Sequence, residues 1–184
     1  MKDQIKEIAI LHLNKFGYEG VKMAHIATEA CIKKQSLSYY YPSKKELVIE
    51  LYTEVVEKEI KYVEAFFQQH KDLSIKEQLY KFLSEFKVRS QQQAHVVFLQ
   101  MTAYMAPFEL KNFVASEYNK YLHVVKREIL SAFSQVDTTF STEESSMAFL
   151  IIWDGLLAKI IYEPNQAYEE LLDTTFTIFW RGIS

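Results

Sequence analysis

The sequence predicts an all-α protein of about nine helices, and three observations carry that prediction. Gly and Pro number only four and three among 184 residues, and neither occurs between Pro42 and Pro107, so that stretch lacks turn chemistry. Apolar residues recur at steps of three and four, the helical period. The capping signature Ser-x-x-Glu appears at Ser43 with Glu46, Ser74 with Glu77 and Ser141 with Glu144, which places helix starts just beyond each serine. No strand-turn-strand spacing appears. Val96-Val97-Phe98 is mildly strand-like, but its neighbours are helix formers.

The first helix is expected from about Asp3 to Phe16, with Ile5, Ile8, Ala9, His12, Leu13 and Phe16 on one stripe. Gly17 is expected to end it as a left-handed cap. A short helix from about Lys22 to Ala30 carries Met23, Ile26, Ala27 and Ala30 as its apolar marks. A tight turn at Cys31-Ile32 leads into a second short helix, from about Lys34 to Tyr41, which Pro42 stops. A long helix starts near residue 44. The remaining helices are expected at about 75–90, 92–105, 109–135, 142–162 and 166–181.

Composition narrows the function classes. Hydrophobic residues make up 49% and charged residues 24%, enough apolar surface for a packed core. The single cysteine, Cys31, excludes a disulfide within the chain and a thiolate metal cluster, and is read as a small buried turn residue. Met1-Lys2-Asp3-Gln4 places an acid where a signal peptide has none. The apolar run from Met147 to Trp153 is cut by Asp154 and Lys159 and is read as too short for a bilayer. A cytoplasmic protein with no membrane partner is expected. There is no HExxH, Gly-rich phosphate loop or GxSxG, and the histidines at 12, 25, 70, 95 and 123 are scattered. No catalytic residue, metal or cofactor is therefore expected, and His12 is read as a packed core residue.

Charge is split along the chain. Residues 1–50 hold eight Lys and six acidic residues, net +2, whereas residues 51–184 hold 13 basic and 18 acidic residues, net −5. Lysines also open consecutive helices: Lys22, then Lys33 and Lys34, then Lys44 and Lys45. Acids are favoured at helix N-termini by about 0.3–1 kcal/mol, so stability does not explain the pattern, whereas phosphate oxygens do. Solvated lysines on frayed ends are the bland alternative. Two short helices about a tight turn have helix-turn-helix dimensions. The second helix displays Lys34, Gln35, Ser36, Ser38, Tyr39 and Tyr40 for base edges, phosphates and thymine methyls. Leu37 and Tyr41 are assigned to the core. The candidate DNA contacts are these six together with Lys22, Lys33 and Lys44.

These residues resemble a known family. Ile26-Ala27, the run from Ala30 to Tyr41 and Pro42-Ser43-Lys44-Lys45-Glu46-Leu47 are similar to the signature of TetR transcriptional regulators, over about residues 5–50. Val21 and Lys22 depart from its Thr-Thr pair, Cys31 from its turn glycine, Lys33 from its capping serine and Ser38 from a common tyrosine. A left-handed residue at Cys31 would cost more than at glycine. The resemblance implies a helix-turn-helix DNA-binding domain over 1–48 and a helical ligand-binding and dimerisation domain over 49–184. It further implies a homodimer, paired through its last two helices, on double-stranded DNA with a near-palindromic operator. Repression relieved by a small-molecule inducer is the family's usual sign.

The rest of the chain is compatible with this. Residues 147–162 are apolar almost all round, which demands burial on every side, by a core and a partner subunit or by the core of a monomer alone. Leu171, Leu172, Phe176, Phe179 and Trp180 of the last helix are its expected partners across a twofold axis. Phe86, Phe98, Met101, Tyr104, Met105, Phe113, Tyr121 and Trp153 are candidate walls for a largely apolar inducer, though such residues at helical spacing also fit plain core. Gln100, Asp154 and His123 are candidate polar groups within apolar surroundings. The competing function is a helical small-molecule-binding or partner-binding protein whose DNA-binding head has decayed.

Overall fold

A computed structural model describes residues 1–163 and 167–184. Its helices are α1 (Lys2–Gly20), α2 (Met23–Glu29), α3 (Lys34–Tyr40), α4 (Lys44–Gln69), α5 (Ile75–Gln92), α6 (Ala94–Tyr104), α7 (Lys111–Phe133), α8 (Thr142–Tyr162) and α9 (Tyr168–Ile183), with a 3-10 turn at Phe108–Leu110 ahead of α7. No strand occurs among the described residues. The all-α class and the expected order of helices hold. Pro164 and the expected start of the last helix at residue 166 lie outside the described residues.

The chain forms two compact units, Met1–Lys58 with Gln93–Lys120, and Glu59–Gln92 with Tyr121–Ser184. Helix α4 runs unbroken through residue 48, where the sequence placed a boundary.

In the first unit, Ile5, Ala9 and Leu13 of α1 are buried with Ile26, Ala27, Leu37, Tyr41, Leu47, Leu51, Tyr52 and Phe98. Phe16, expected on that stripe, is exposed instead, because α1 kinks directly after it. Gly17 has φ 65° and ψ 174°. The φ is positive as expected, but the ψ is extended rather than left-handed helical. The chain then makes one more turn, in which the Val21 amide donates to the Gly17 carbonyl at 3.3 Å.

In the second unit the core is aromatic. Phe66, Phe67 and Phe82 pack with centroids 5.3–5.4 Å apart, and Phe133, Phe149 and Phe179 form a second cluster at 6.0–6.2 Å. Arg89 donates to Glu59 at 2.5 Å and lies over the Tyr62 ring at 3.3 Å. This pair is well buried, and the stacked Tyr62 ring offsets part of its desolvation. Two of the three expected capping boxes are complete: Ser74 with Glu77 and Ser141 with Glu144. At Ser43 the hydroxyl accepts from the Glu46 amide at 3.1 Å.

Helix α8 corrects one expectation. It runs through Asp154 and Lys159, as its expected span of 142–162 implied, but it is not too short for a bilayer. Its 21 residues hold an 18-residue window of mean hydropathy 1.4, long and apolar enough to cross a bilayer by length and composition, where the apolar run in the sequence reads as too short. Within its unit the inner face, Phe149, Trp153, Leu156, Leu157 and Ile160, is buried as core, while Met147 and Ile151 remain exposed.

Candidate nucleic-acid interface

Three buried contacts hold α2 and α3 about their turn. Ile26 and Ala27 of α2 and Leu37 of α3 are fully buried. The Ile32 amide donates to the Ala27 carbonyl at 2.9 Å and the Cys31 amide to Thr28 at 3.0 Å. Cys31 takes φ 54°, the left-handed value expected where the turn favours glycine. Its side chain is exposed rather than buried, because the turn lifts that residue to its tip.

With Leu37 and Tyr41 anchored in the core, the helical period turns Lys34, Gln35, Ser36 and Ser38 to solvent. Tyr39 is 86% exposed and meets the half-buried Tyr40 edge-on at 5.7 Å. Lys22 and Lys33 are exposed and are the N-caps of α2 and α3, where neither supplies a side-chain cap and no acid stands in the first turn. The first amides of both helices thus lack the usual side-chain acceptor.

Lys44 is placed differently. Its ammonium donates to the Tyr18 carbonyl at 2.5 Å and the Val21 carbonyl at 3.4 Å, and it sits 4.2 Å from the Tyr18 ring centroid. It closes the carbonyls at the end of α1. Lys45 beside it is exposed and was not among the candidate contacts.

Residues with no signal in the sequence fix α3 in place. The Tyr41 hydroxyl donates to Glu50 at 3.1 Å, and Lys6 reaches Glu50 at 2.8 Å and Glu54 at 2.5 Å. Burial pushes the Tyr41 hydroxyl up to about 12, while the Lys6 hydrogen bond holds Glu50 below its ordinary carboxylate value. His12, expected as plain core, pairs through Nε2 with Glu29 at 2.6 Å and so fastens α1 to α2. These partners lie 9 to 48 residues apart, and no local pattern in the sequence marks them.

The candidate ligand-pocket residues are distributed over both units. In the first, Phe98, Met101 and Met105 line a cavity of about 50 Å³. Tyr104 and Met105 line a groove, and Phe113 packs on Tyr52 at 6.3 Å. In the second, Phe86 is buried, and Trp153 lies between Phe82 and Tyr121 at 6.4 and 6.2 Å. Of the three polar candidates only Gln100 is buried. Asp154 and His123 are exposed, because each falls on the outer arc of its helix, beside the inward Trp153 and Tyr121. Among the described residues no cluster of three His, Cys, Asp or Glu is placed to hold a metal.

Residues 10–51, which span this motif, match the model of the bacterial regulatory proteins of the tetR family. That segment is similar to the tetR family of regulators. The chain is similar to the biofilm operon icaADBC HTH-type negative transcriptional regulator IcaR of Staphylococcus epidermidis, 34% identical over 87 residues, which is 47% of this chain and 45% of that protein. The matched part is thus about half of each chain. The fold is that of solved TetR-type structures. A TetR transcription regulator from Haloarcula marismortui superposes with a TM-score of 0.76 at 16% identity, over 99% of this chain and 97% of that one. The transcriptional regulator FadR from Bacillus subtilis, in complex with stearoyl-CoA, superposes with a TM-score of 0.74 at 15% identity, over the whole of both chains.

Proposed function

We propose that this chain is a cytoplasmic, sequence-specific DNA-binding regulator of the TetR family, a repressor that a small-molecule ligand releases from its operator. The division of α3 carries the reading: Leu37 and the adjoining Tyr41 hold the helix from behind, and Lys34, Gln35, Ser36, Ser38 and Tyr39 are free to enter a major groove. Lys22 and Lys33 flank that surface and suit phosphates. Lys44 acts first by fixing the end of α1, so its contribution to DNA binding runs through the placement of α2.

A homodimer presents two such helices about one helical turn, roughly 34–36 Å, apart on a near-palindromic site. Met147 and Ile151, one turn apart on α8, and Ile178 on α9 are exposed apolar residues that support pairing through the last two helices. Ligand release is supported by the candidate pocket residues in the helical body and by the complex of the structurally similar regulator FadR with stearoyl-CoA. The ligand acts by preferring a conformation in which the two recognition helices are wrongly spaced.

Selection from random duplex DNA at low and moderate salt tests the reading. Enrichment of an inverted repeat is expected, weakened steeply by salt and abolished by Lys34→Glu combined with Tyr39→Ala. If no sequence is enriched at either salt, or the double variant selects the same site, the regulator reading is wrong and the head is a decayed one.

A further inference from the structure

In the second unit the end of α4, the start of α5 and the end of α7 enclose a groove of about 460 Å³, the size of a pocket for a small organic molecule. None of the candidate ligand-pocket residues lines it. Its apolar floor is Phe67, Ile75 and Ala132. Its charged residues are two of each sign, Glu64 and Glu128 with Lys71 and Arg127. Arg127 donates to Glu64 at 2.9 Å and to Glu128 at 2.6 Å, so three of the four are spent on one another. Lys71 is exposed, where water screens it. The lining as a whole is neutral and has little to offset the desolvation of a charged ligand.

Gln78, in the wall of this groove, narrows the occupant. It is 5% exposed, and its Nε2 donates to the Phe67 carbonyl at 3.3 Å. That bond fixes the two ends of the amide, since a carbonyl accepts only from the nitrogen. Its Oε1 accepts from no group among the described residues. Nor is that oxygen sealed in the core, so the surface it keeps opens on the groove. A nearly buried acceptor, held still through its own nitrogen, calls for a donor. Beside it the Gln68 amide and the Ser131 hydroxyl are exposed and uncommitted. Gln135 donates to the Ser131 carbonyl at 3.1 Å and leaves its own Oε1 free. Uncharged groups that both donate and accept, set about an apolar floor, match a molecule with hydroxyls along its edge and C–H bonds on its face.

We infer that this groove binds an uncharged polyhydroxylated molecule of the sugar class, one hydroxyl donating to Gln78 Oε1 and the C–H face lying on Phe67 and Ile75. The inference deepens the ligand-responsive part of the regulator reading, with a polar ligand where the sequence suggests a largely apolar one, and rests on that reading for its biological meaning.

Saturation-transfer NMR on the full chain provides the test, with glucose, galactose, mannose, maltose and lactose as neutral probes and glucosamine and glucuronate as charged ones. At least one neutral sugar is expected to take up saturation from the protein, and to bind more tightly than either charged one. Ser131→Trp, which fills the groove from an exposed helix position, is expected to weaken that sugar about tenfold. Gln78→Leu, which removes the acceptor, is expected to weaken it about fivefold, as for one hydrogen bond. No transfer to any neutral sugar, or binding that Ser131→Trp leaves unchanged, overturns the site. Charged sugars that bind as well as neutral ones overturn the uncharged class, and a Gln78→Leu variant that binds like the parent overturns the role of Oε1. Should either variant lose its helical circular dichroism, the other decides alone. Operator binding by the parent is read separately by gel shift. Retained while no sugar binds, it leaves the DNA reading intact and removes only this site; absent while a sugar binds as expected, it removes the DNA reading and leaves the site.

Discussion

At the scale of the residue, two positions carry more than their type implies. Cys31 occupies φ 54°, where a Cβ costs about 1–2 kcal/mol, partly offset in a glycine by the greater freedom of its unfolded chain. Cys31→Gly is therefore expected to stabilise the protein by up to about 1 kcal/mol, read as a higher thermal midpoint; an unchanged or lower midpoint contradicts the strained turn. Glu50 gathers Lys6 and the Tyr41 hydroxyl, and the Lys6 hydrogen bond lowers its carboxyl from 4.5. A carboxyl depressed in the folded state contributes stability above its unfolded value, lost as pH falls through the folded one. The thermal midpoint is expected to drop on acidification below pH 4.5, and less steeply in Glu50→Gln. Parallel curves for the two proteins argue against the network.

At the scale of the element, helix ends were the most legible feature. Ser74 and Ser141 form the boxes that their spacing announced, since a capping box needs only residues three apart. Ser141→Ala removes the acceptor for the Glu144 amide and is expected to cost about 1 kcal/mol, measured by urea unfolding; no change would mean that α8 is held by packing alone. The orientation of α3 was legible for the same reason: Leu37 and Tyr41, four apart, lie inside and Tyr39 outside. Asp154 and His123 misled, because an apolar neighbourhood in sequence does not state which arc of a helix is turned inward. Lys44 misled in another way, since a lysine at a helix start gives no sign that carbonyls at Tyr18 and Val21 await it.

At the scale of the whole molecule, the exposed apolar residues of α8 and α9 form the surface on which the proposed dimer pairs. Ile151 is 69% and Ile178 68% exposed, and buried on a second copy they stabilise a dimer by roughly 25 cal/mol per Å² removed from water. Ile151→Lys is expected to sediment as a folded monomer at concentrations where the parent is a dimer. A monomeric parent, or a variant that still pairs, places the interface elsewhere.

The sequence by itself determined the class, the order of the helices, their caps and the outward face of α3, because each depends on residues within a turn or two of one another. It also carried the resemblance to TetR regulators, through a motif that is local in the chain. Only the tertiary structure decided what holds that motif in place, from His12 on Glu29 to Lys6 on Glu50 and Glu54. It alone drew residues 93–120 into one unit with the first 58. It also opened the groove that Gln78 lines. Such pairings join residues far apart in the chain, and they are chosen by packing and charge after the helices form, which no periodicity records.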